Sequence, residues 1–168
     1  MEIRLLDSQD AGIYRELRLK SLKENAEAFL TTYEIEKEKP IEQLEQNLKV
    51  TEDRFTFGAF VDHELVGIVT FVREYHPKLR HKGNVYGMYV ASDRRGKGIG
   101  RALLELLIAR ARQCIGLEQM NLVVMSDNIA AIRLYEAVGF VRYGTEIKAI
   151  KSGEQYWDED YMCLRLTS

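Results

Sequence analysis

Only two cysteines and two prolines occur among the 168 residues, no apolar run is long enough to cross a bilayer, and basic charge is not in surplus. Cys114 and Cys163 are distant in sequence and form no Cys-x-x-Cys pair, which argues against a disulfide framework and against a zinc site. They read as two buried free thiols. Cys114 has only Arg112 near it in sequence and lacks the base that a nucleophilic cysteine needs. Two prolines and twelve glycines leave little room for a disordered linker. The formal net charge of -2 argues against the broad basic surface that neutralises nucleic-acid phosphates. The most apolar stretch, Leu103 to Ala109, is interrupted by Glu105, and Met1 to Asp7 lacks a signal-peptide core. No membrane segment is expected, and the reading is cytoplasmic.

What is present suits one folded unit. With 46% hydrophobic and 30% charged residues, the length predicts a single domain over 1–168 with a core of its own. Ile3 and Leu5 alternate with polar neighbours as a first strand, and Asp7-Ser8-Gln9-Asp10 offers capping groups before a helix with Ile13, Tyr14 and Leu17. From Glu24 to Asp53 the pattern weakens, but Pro40, Ile41, Leu44 and Leu48 have helical spacing. Phe55 to Val61 and Leu65 to Tyr75 predict a hairpin turning at Asp62-His63-Glu64. His76 to Gly83 reads as a loop, and Asn84 to Val90 as a fourth strand with a bulge at Gly87. Ile99 to Arg112 is helical, with Leu103, Leu104, Leu107, Ile108 and Ala111 on one buried stripe. A strand at Met120–Met125 then leads through Ser126-Asp127-Asn128 into a helix ending at Val138-Gly139, and a last hairpin spans Phe140 to Leu166.

The segment Arg95-Gly96-Lys97-Gly98-Ile99-Gly100 joins a strand to a helix. Glycines let the backbone curl there, and the first helical turn has unpaired N–H groups, so an anion is a natural guest. Arg94, Arg95, Lys97, Arg101, Arg110 and Arg112 face only Asp93 and Glu105 over Asp93–Arg112, a basic patch in a slightly acidic chain. By itself the turn is equally compatible with tight strand-to-helix packing. A dinucleotide fingerprint would need glycine where Arg101 stands, and a Walker loop would need Ser or Thr where Gly98 stands.

Tyr89 to Leu104, with Arg95, Gly98 and Gly100 in the diagnostic places, resembles the Gln/Arg-x-x-Gly-x-Gly/Ala motif of the GNAT superfamily of N-acetyltransferases. Asn128 to Phe140 is similar to that family's second motif, and the order of elements also matches. The resemblance implies an α/β (α+β) fold: a mixed, mostly antiparallel sheet of about seven strands, splayed between strands 4 and 5 and flanked by about four helices. It implies an acetyl-coenzyme A-dependent transfer of acetyl to a primary amine by direct attack in a ternary complex. On that pattern Met88, Tyr89 and Val90 offer strand backbone to the pantetheine arm, and one of their N–H groups polarises the thioester carbonyl. Arg95, Gly96, Lys97, Gly98, Ile99, Gly100 and Arg101 seat the pyrophosphate, while Asn128 and Ala131 line the cofactor. Tyr135 is both a cofactor contact and the candidate general acid, with a core tyrosine as its plainer reading.

The expected acceptor is a small molecule or a peptide amine, with no nucleic acid or membrane partner, and a homodimer is left open. Several relatives carry a glutamate on the fourth strand, but Asn84 to Val90 has no carboxylate. Glu34, Glu36, Glu74, Asp127 and Tyr86 are substitutes acting through water, and the base is unassigned. Over Glu24–Asp53, nine acids (Glu24, Glu27, Glu34, Glu36, Glu38, Glu42, Glu45, Glu52, Asp53) face Lys37, Lys39 and Lys49. Glu154–Asp160 adds four more acids and no base. Acidity there suggests a cationic acceptor such as a polyamine or an aminoglycoside, although charge runs usually only solubilise. The rival readings are a noncatalytic acyl-CoA-binding regulatory module and an acetyltransferase of protein N-termini or lysines. No metal is expected, because His76 and His81 lack partners at ligand spacing.

Overall fold

The computed structural model describes residues 1–26 and 30–166; Glu27, one of the acids counted above, lies outside them. Strands β1 (Glu2–Leu5), β2 (Arg54–Val61), β3 (Glu64–Arg73), β4 (Lys82–Val90), β5 (Gln119–Met125), β6 (Val141–Ser152) and β7 (Gln155–Arg165) form one sheet in the order β1-β2-β3-β4-β5-β7-β6. Every neighbouring pair is antiparallel except β4 and β5. Among the described residues the α-helices are α1 (Ala11–Glu24), α2 (Tyr33–Lys37), α3 (Ile41–Leu48), α4 (Ile99–Ala111) and α5 (Ile129–Ala137), five where about four were expected. The extra one is α2. It is a single turn, started by Thr32 Oγ1 accepting from Ile35 N at 3.2 Å, and too short to leave a periodic signal.

The core forms where the sheet meets α4. Leu103, Leu104, Leu107 and Ala111 are fully buried, as their spacing predicts, and Ile99 joins them. Gly67 of β3 keeps that approach close: a β-carbon there would stand 3.0 Å from Leu103 Cδ1. Helices α1 and α3 pack together beside α2, with Leu17, Leu44 and Leu48 turned inward. The β2–β3 turn is tight because Asp62 and His63 both take positive φ, 52° and 66°, which matches the twist of a two-residue hairpin. Two boundaries differ from the sequence reading. β4 begins at Lys82, not Asn84, and Pro77–Leu79 forms a 3-10 turn capped by His76 Nδ1, which accepts from Lys78 N at 3.2 Å. Both cysteines are half-buried, free thiols rather than fully buried ones, and burial pushes each thiol pKa up, so neither is poised as a nucleophile. Among the described residues no helix is long and apolar enough to cross a membrane, and no three His, Cys, Asp or Glu gather to hold a metal.

Candidate active site at the β4–β5 opening

β4 and β5 pair only over Lys82↔Gln119, Gly83↔Met120 and Asn84↔Asn121. Beyond Asn84 the strands part, and among the described residues the β5-facing edge of 85–90 has no strand partner. The cause is visible on the other edge. Gly87 adopts φ +62°, and the register with β3 slips between Ile68↔Tyr89 and Thr70↔Tyr86, so β4 carries the bulge its glycine predicts. A bulge bends its strand and re-aims the residues beyond it. Met88, Tyr89 and Val90, the strand residues singled out from sequence, all lie on the parted segment.

At the end of this segment a 3-10 turn over Ser92–Arg94 leads into the glycine turn. Gly96 and Gly98 have φ of +77° and +80°, values that side chains resist, and a β-carbon at either would meet nothing within 4 Å. The space over the turn is open. Gly98 is the N-cap of α4 and supplies no side chain, so the first-turn N–H groups of Ile99, Gly100 and Arg101 have no partner within the helix. Positive dipole and open amides thus coincide. Gly100 does something different. A β-carbon there would stand 3.0 Å from Leu134 Cδ2, 3.1 Å from Met88 Cε and 3.7 Å from Val90 Cγ2, so this glycine lets α4, α5 and β4 converge at the mouth of the opening.

The basic patch read from sequence divides. Arg110 and Arg112 sit at the far end of α4, over a dozen Å from the turn at about 1.5 Å per residue; Arg110 stacks on Phe55 and Arg112 donates to Leu166 O. Arg101 is bound to Glu105 at 2.8 Å on the exposed face. Arg95 folds back onto β4: its Nε donates to Val90 O at 2.9 Å, and its guanidinium lies 5.5 Å from the Tyr89 ring. Lys97 remains exposed beside the turn. Tyr89 itself is buried and donates to Glu24 Oε2 at 3.0 Å; burial, then Glu24, push its phenol up to about 12.

On α5, Asn128 Oδ1 accepts from Ala131 N at 3.2 Å, so both sequence candidates are already joined in a helix cap. Tyr135 is 8% exposed and meets Phe140 edge to face at 6.0 Å. Its plainer role as a core tyrosine is therefore realised. Yet its hydroxyl has no hydrogen-bond partner among the described residues, and burial alone pushes its pKa up to about 12. The loop into α5 is pinned by buried Asp160 of β7, whose Oδ1 accepts from Ser126 Oγ at 2.7 Å and Thr145 Oγ1 at 2.8 Å. Burial by itself would raise the Asp160 carboxyl, but those hydrogen bonds and the Arg142 charge hold it below the ordinary range.

A cavity of about 240 Å³ opens behind the bulge, on the sheet face covered by α1, α2 and α3. Its floor is the register row Thr56↔Thr70↔Tyr86, with Thr56 and Thr70 hydroxyls 2.7 Å apart. Tyr14 and Arg18 come from α1, Glu36 from α2, Lys39 from the link after it, and Arg54 from the start of β2. Glu36 is 3% exposed and stands 2.9 Å from Lys39 Nζ and 3.8 Å from Arg18 Nε. Among the described acids of the 24–53 segment, Glu36 alone lines this cavity. Arg18 and Arg54 carry no spacing signal in the sequence; only packing α1 on β3, beside β2, brings them to one cavity. Of the other base candidates, Glu74 accepts from Asn84 Nδ2 at 2.8 Å, and Tyr86 lines the cavity half-exposed, its phenol pushed up by burial and by Glu74.

A mixed sheet that opens beside a glycine-turned helix N-terminus, with a polar cavity behind the opening strand, makes this an α/β protein with two concavities bordering β4. Residues 19–140 match the model of the Acetyltransferase (GNAT) family, and the chain belongs to that family. It is 42% identical over 65 residues to a mycothiol acetyltransferase of Geodermatophilus obscurus, a match covering 39% of this chain and 21% of that protein. It is 31% identical over 105 residues to the L-amino acid N-acetyltransferase AaaT of Escherichia coli, covering 62% of this chain and 64% of that one. The chain thus spans about a fifth of the first relative and just under two thirds of the second. Among solved structures, an acetyltransferase of the GNAT family from Streptococcus pneumoniae superposes with a TM-score of 0.81 at 25% identity, over 98% of both chains.

Proposed function

We propose that the chain, as one N-acetyltransferase domain over 1–168, transfers acetyl from acetyl-coenzyme A to a primary amine in a ternary complex. One observation carries the reading: the strand edge left open after Asn84↔Asn121 runs directly into the unfilled amide turn at Gly96–Gly98. An extended amide-bearing arm that ends in a diphosphate fits that pair of features. The donor supplies an activated thioester. Backbone groups of Met88, Tyr89 and Val90 pair with the arm as an added strand and aim an N–H at the carbonyl oxygen, where charge develops. Amides from Arg95 to Arg101 hold the diphosphate, with Lys97 adding charge. Asn128, its oxygen engaged in the cap, offers its NH₂ group, and Ala131 offers its methyl.

The amine nitrogen bonds the carbonyl carbon, the C–S bond breaks, and the proton shed by nitrogen balances the one taken up at sulfur. Tyr135 faces that last step. A phenol with a pKa of about 12 is a donor at every physiological pH, but it holds its proton more tightly than a thiol of about 8.5. Its contribution is then a hydrogen bond to the departing sulfur more than a completed proton transfer.

The burial of Tyr135 also favours a second reading, a binder that keeps the seat and has no chemistry. Thiol release from acetyl-CoA by the purified protein, with and without a broad pool of amines, separates the two. Amine-dependent release supports transfer; tight CoA binding with no release across the pool overturns it.

A further inference from the structure

The cavity behind Gly87 is charged in the opposite sense to the segment that lines it. Arg18, Lys39 and Arg54 face a single carboxylate, Glu36. That carboxylate is already engaged, at 2.9 Å from Lys39 and 3.8 Å from Arg18. Arg54 is the cation left over, and its buried Nε has no hydrogen-bond partner among the described residues. A buried guanidinium nitrogen without an acceptor is costly, and a carboxylate is the group whose planar geometry matches it.

Both arginines lie close to the Tyr14 phenol. Burial pushes that phenol up, the Arg18 charge opposes the rise, Glu36 adds to it, and Arg54 and a hydrogen bond with Thr70 oppose it, so both guanidinium charges are felt at the Tyr14 hydroxyl. The wall at its other end is Tyr86-Gly87, and Gly87 directly precedes the strand segment assigned to the thioester. Arg18 reaches that end, with Nη1 3.8 Å from where a Gly87 β-carbon would stand. At about 240 Å³ the space falls below the roughly 300–1,000 Å³ of drug-sized sites, so the occupant is small.

From this lining we infer that the acceptor is a small amine that also carries a carboxylate, an amino-acid-like molecule and not the cationic polyamine or aminoglycoside that the acidic segment suggests. The carboxylate sits against Arg54, helped by Lys39, and the amine points past Gly87 toward Met88. The other described acids of the 24–53 segment lie outside the cavity lining. This inference rests on the acetyl-transfer reading above.

The test is thiol release from acetyl-CoA with matched acceptors: leucine, phenylalanine, glutamate and β-alanine, their amides, their decarboxylated counterparts, and putrescine. The free acids are expected to exceed their amides in kcat/KM by about tenfold or more. The bias of intrinsic reactivity runs the other way, because the amide's amine is the less basic. Arg54→Met raises KM for the preferred acid and closes the acid–amide gap, while Arg54→Lys keeps part of it. Lys39→Met, which removes a charge already bound to Glu36, gives a weaker change in the same direction and covers the case in which Arg54→Met does not fold. Equal or better turnover of amides, decarboxylated amines or putrescine overturns the inference and leaves acetyl transfer standing. An acid preference that survives both charge-removing variants overturns the residue assignment. Acetyl-CoA binding with no release by any amine overturns the inference together with the reading it rests on.

Discussion

Leu134 Cδ2 of α5 lies 3.0 Å from the position a β-carbon would take on Gly100 of α4. The two helices flank the β4–β5 opening, and this glycine sets how closely they meet. Gly100→Ala sets a helix-propensity gain of up to about 1 kcal/mol against crowding of two flexible side-chain ends, Leu134 and Met88. Near-neutral stability is expected. Gly100→Val cannot be absorbed that way and is expected to cost about 1–3 kcal/mol. Urea unfolding of the two variants checks the order; equal midpoints would show that the helices do not depend on this contact.

Gly98 sits at φ +80° with open space above it. Gly98→Asp and Gly98→Asn have similar shape and similar backbone strain, of the order of 1 kcal/mol. Only Asp puts a negative charge at the helix N-terminus where the diphosphate is placed. Gly98→Asp is therefore expected to raise the KM for acetyl-CoA about tenfold beyond Gly98→Asn, with matched melting temperatures. Identical KM values for the pair would remove the anion seat from this turn.

Tyr135→Phe removes a hydroxyl that has no partner among the described residues, so folding stability should change by less than about 0.5 kcal/mol. Loss of a hydrogen bond to a developing thiolate predicts a fall in kcat of about ten- to a hundredfold, with CoA affinity little changed. Because the phenol loses its proton only near 12, kcat should show no decline from this group between about pH 8 and 10. Unchanged kcat in the variant takes Tyr135 out of the chemistry.

Much of this arrangement is legible in the sequence, for local reasons. Gly87, Gly96 and Gly98 announce positive φ, and Asn128 three residues before Ala131 announces a cap; both are encoded within a few residues. The α4 stripe is equally local. What the sequence hides is assembled at long range. Arg18 and Arg54 are 36 positions apart and share one cavity only because α1 packs on β3, the neighbour of β2 in the sheet. The acidic segment misleads because its composition gives no indication of which side chains turn inward, and of its described acids only Glu36 lines the cavity.

Asp160 joins the loop before α5 to β6 through Ser126 and Thr145. Its folded pKa is depressed, so its stabilisation is complete above the unfolded value near 3.9 and is lost as pH falls through the lower folded value. Asp160→Ala strands two hydroxyl donors and is expected to cost about 3 kcal/mol at pH 7. The gap between wild type and variant should narrow below about pH 4. A pH-independent gap in urea midpoints would show that the carboxylate's charge contributes nothing there.

The sheet is continuous by strand order but not by mechanics. Backbone pairing joins β1–β4 to β5–β7–β6 only through three register pairs at the base of β4 and β5; beyond them, side chains such as Gly100's neighbours Met88 and Leu134, and the core under α4, bridge the opening. Amide hydrogens along residues 85–90 that face the gap should exchange with solvent faster than those on the β3 side, and should slow when a ligand strand fills it. A ligand strand in that gap would therefore add backbone pairing between β4 and β5 where the sheet has none of its own.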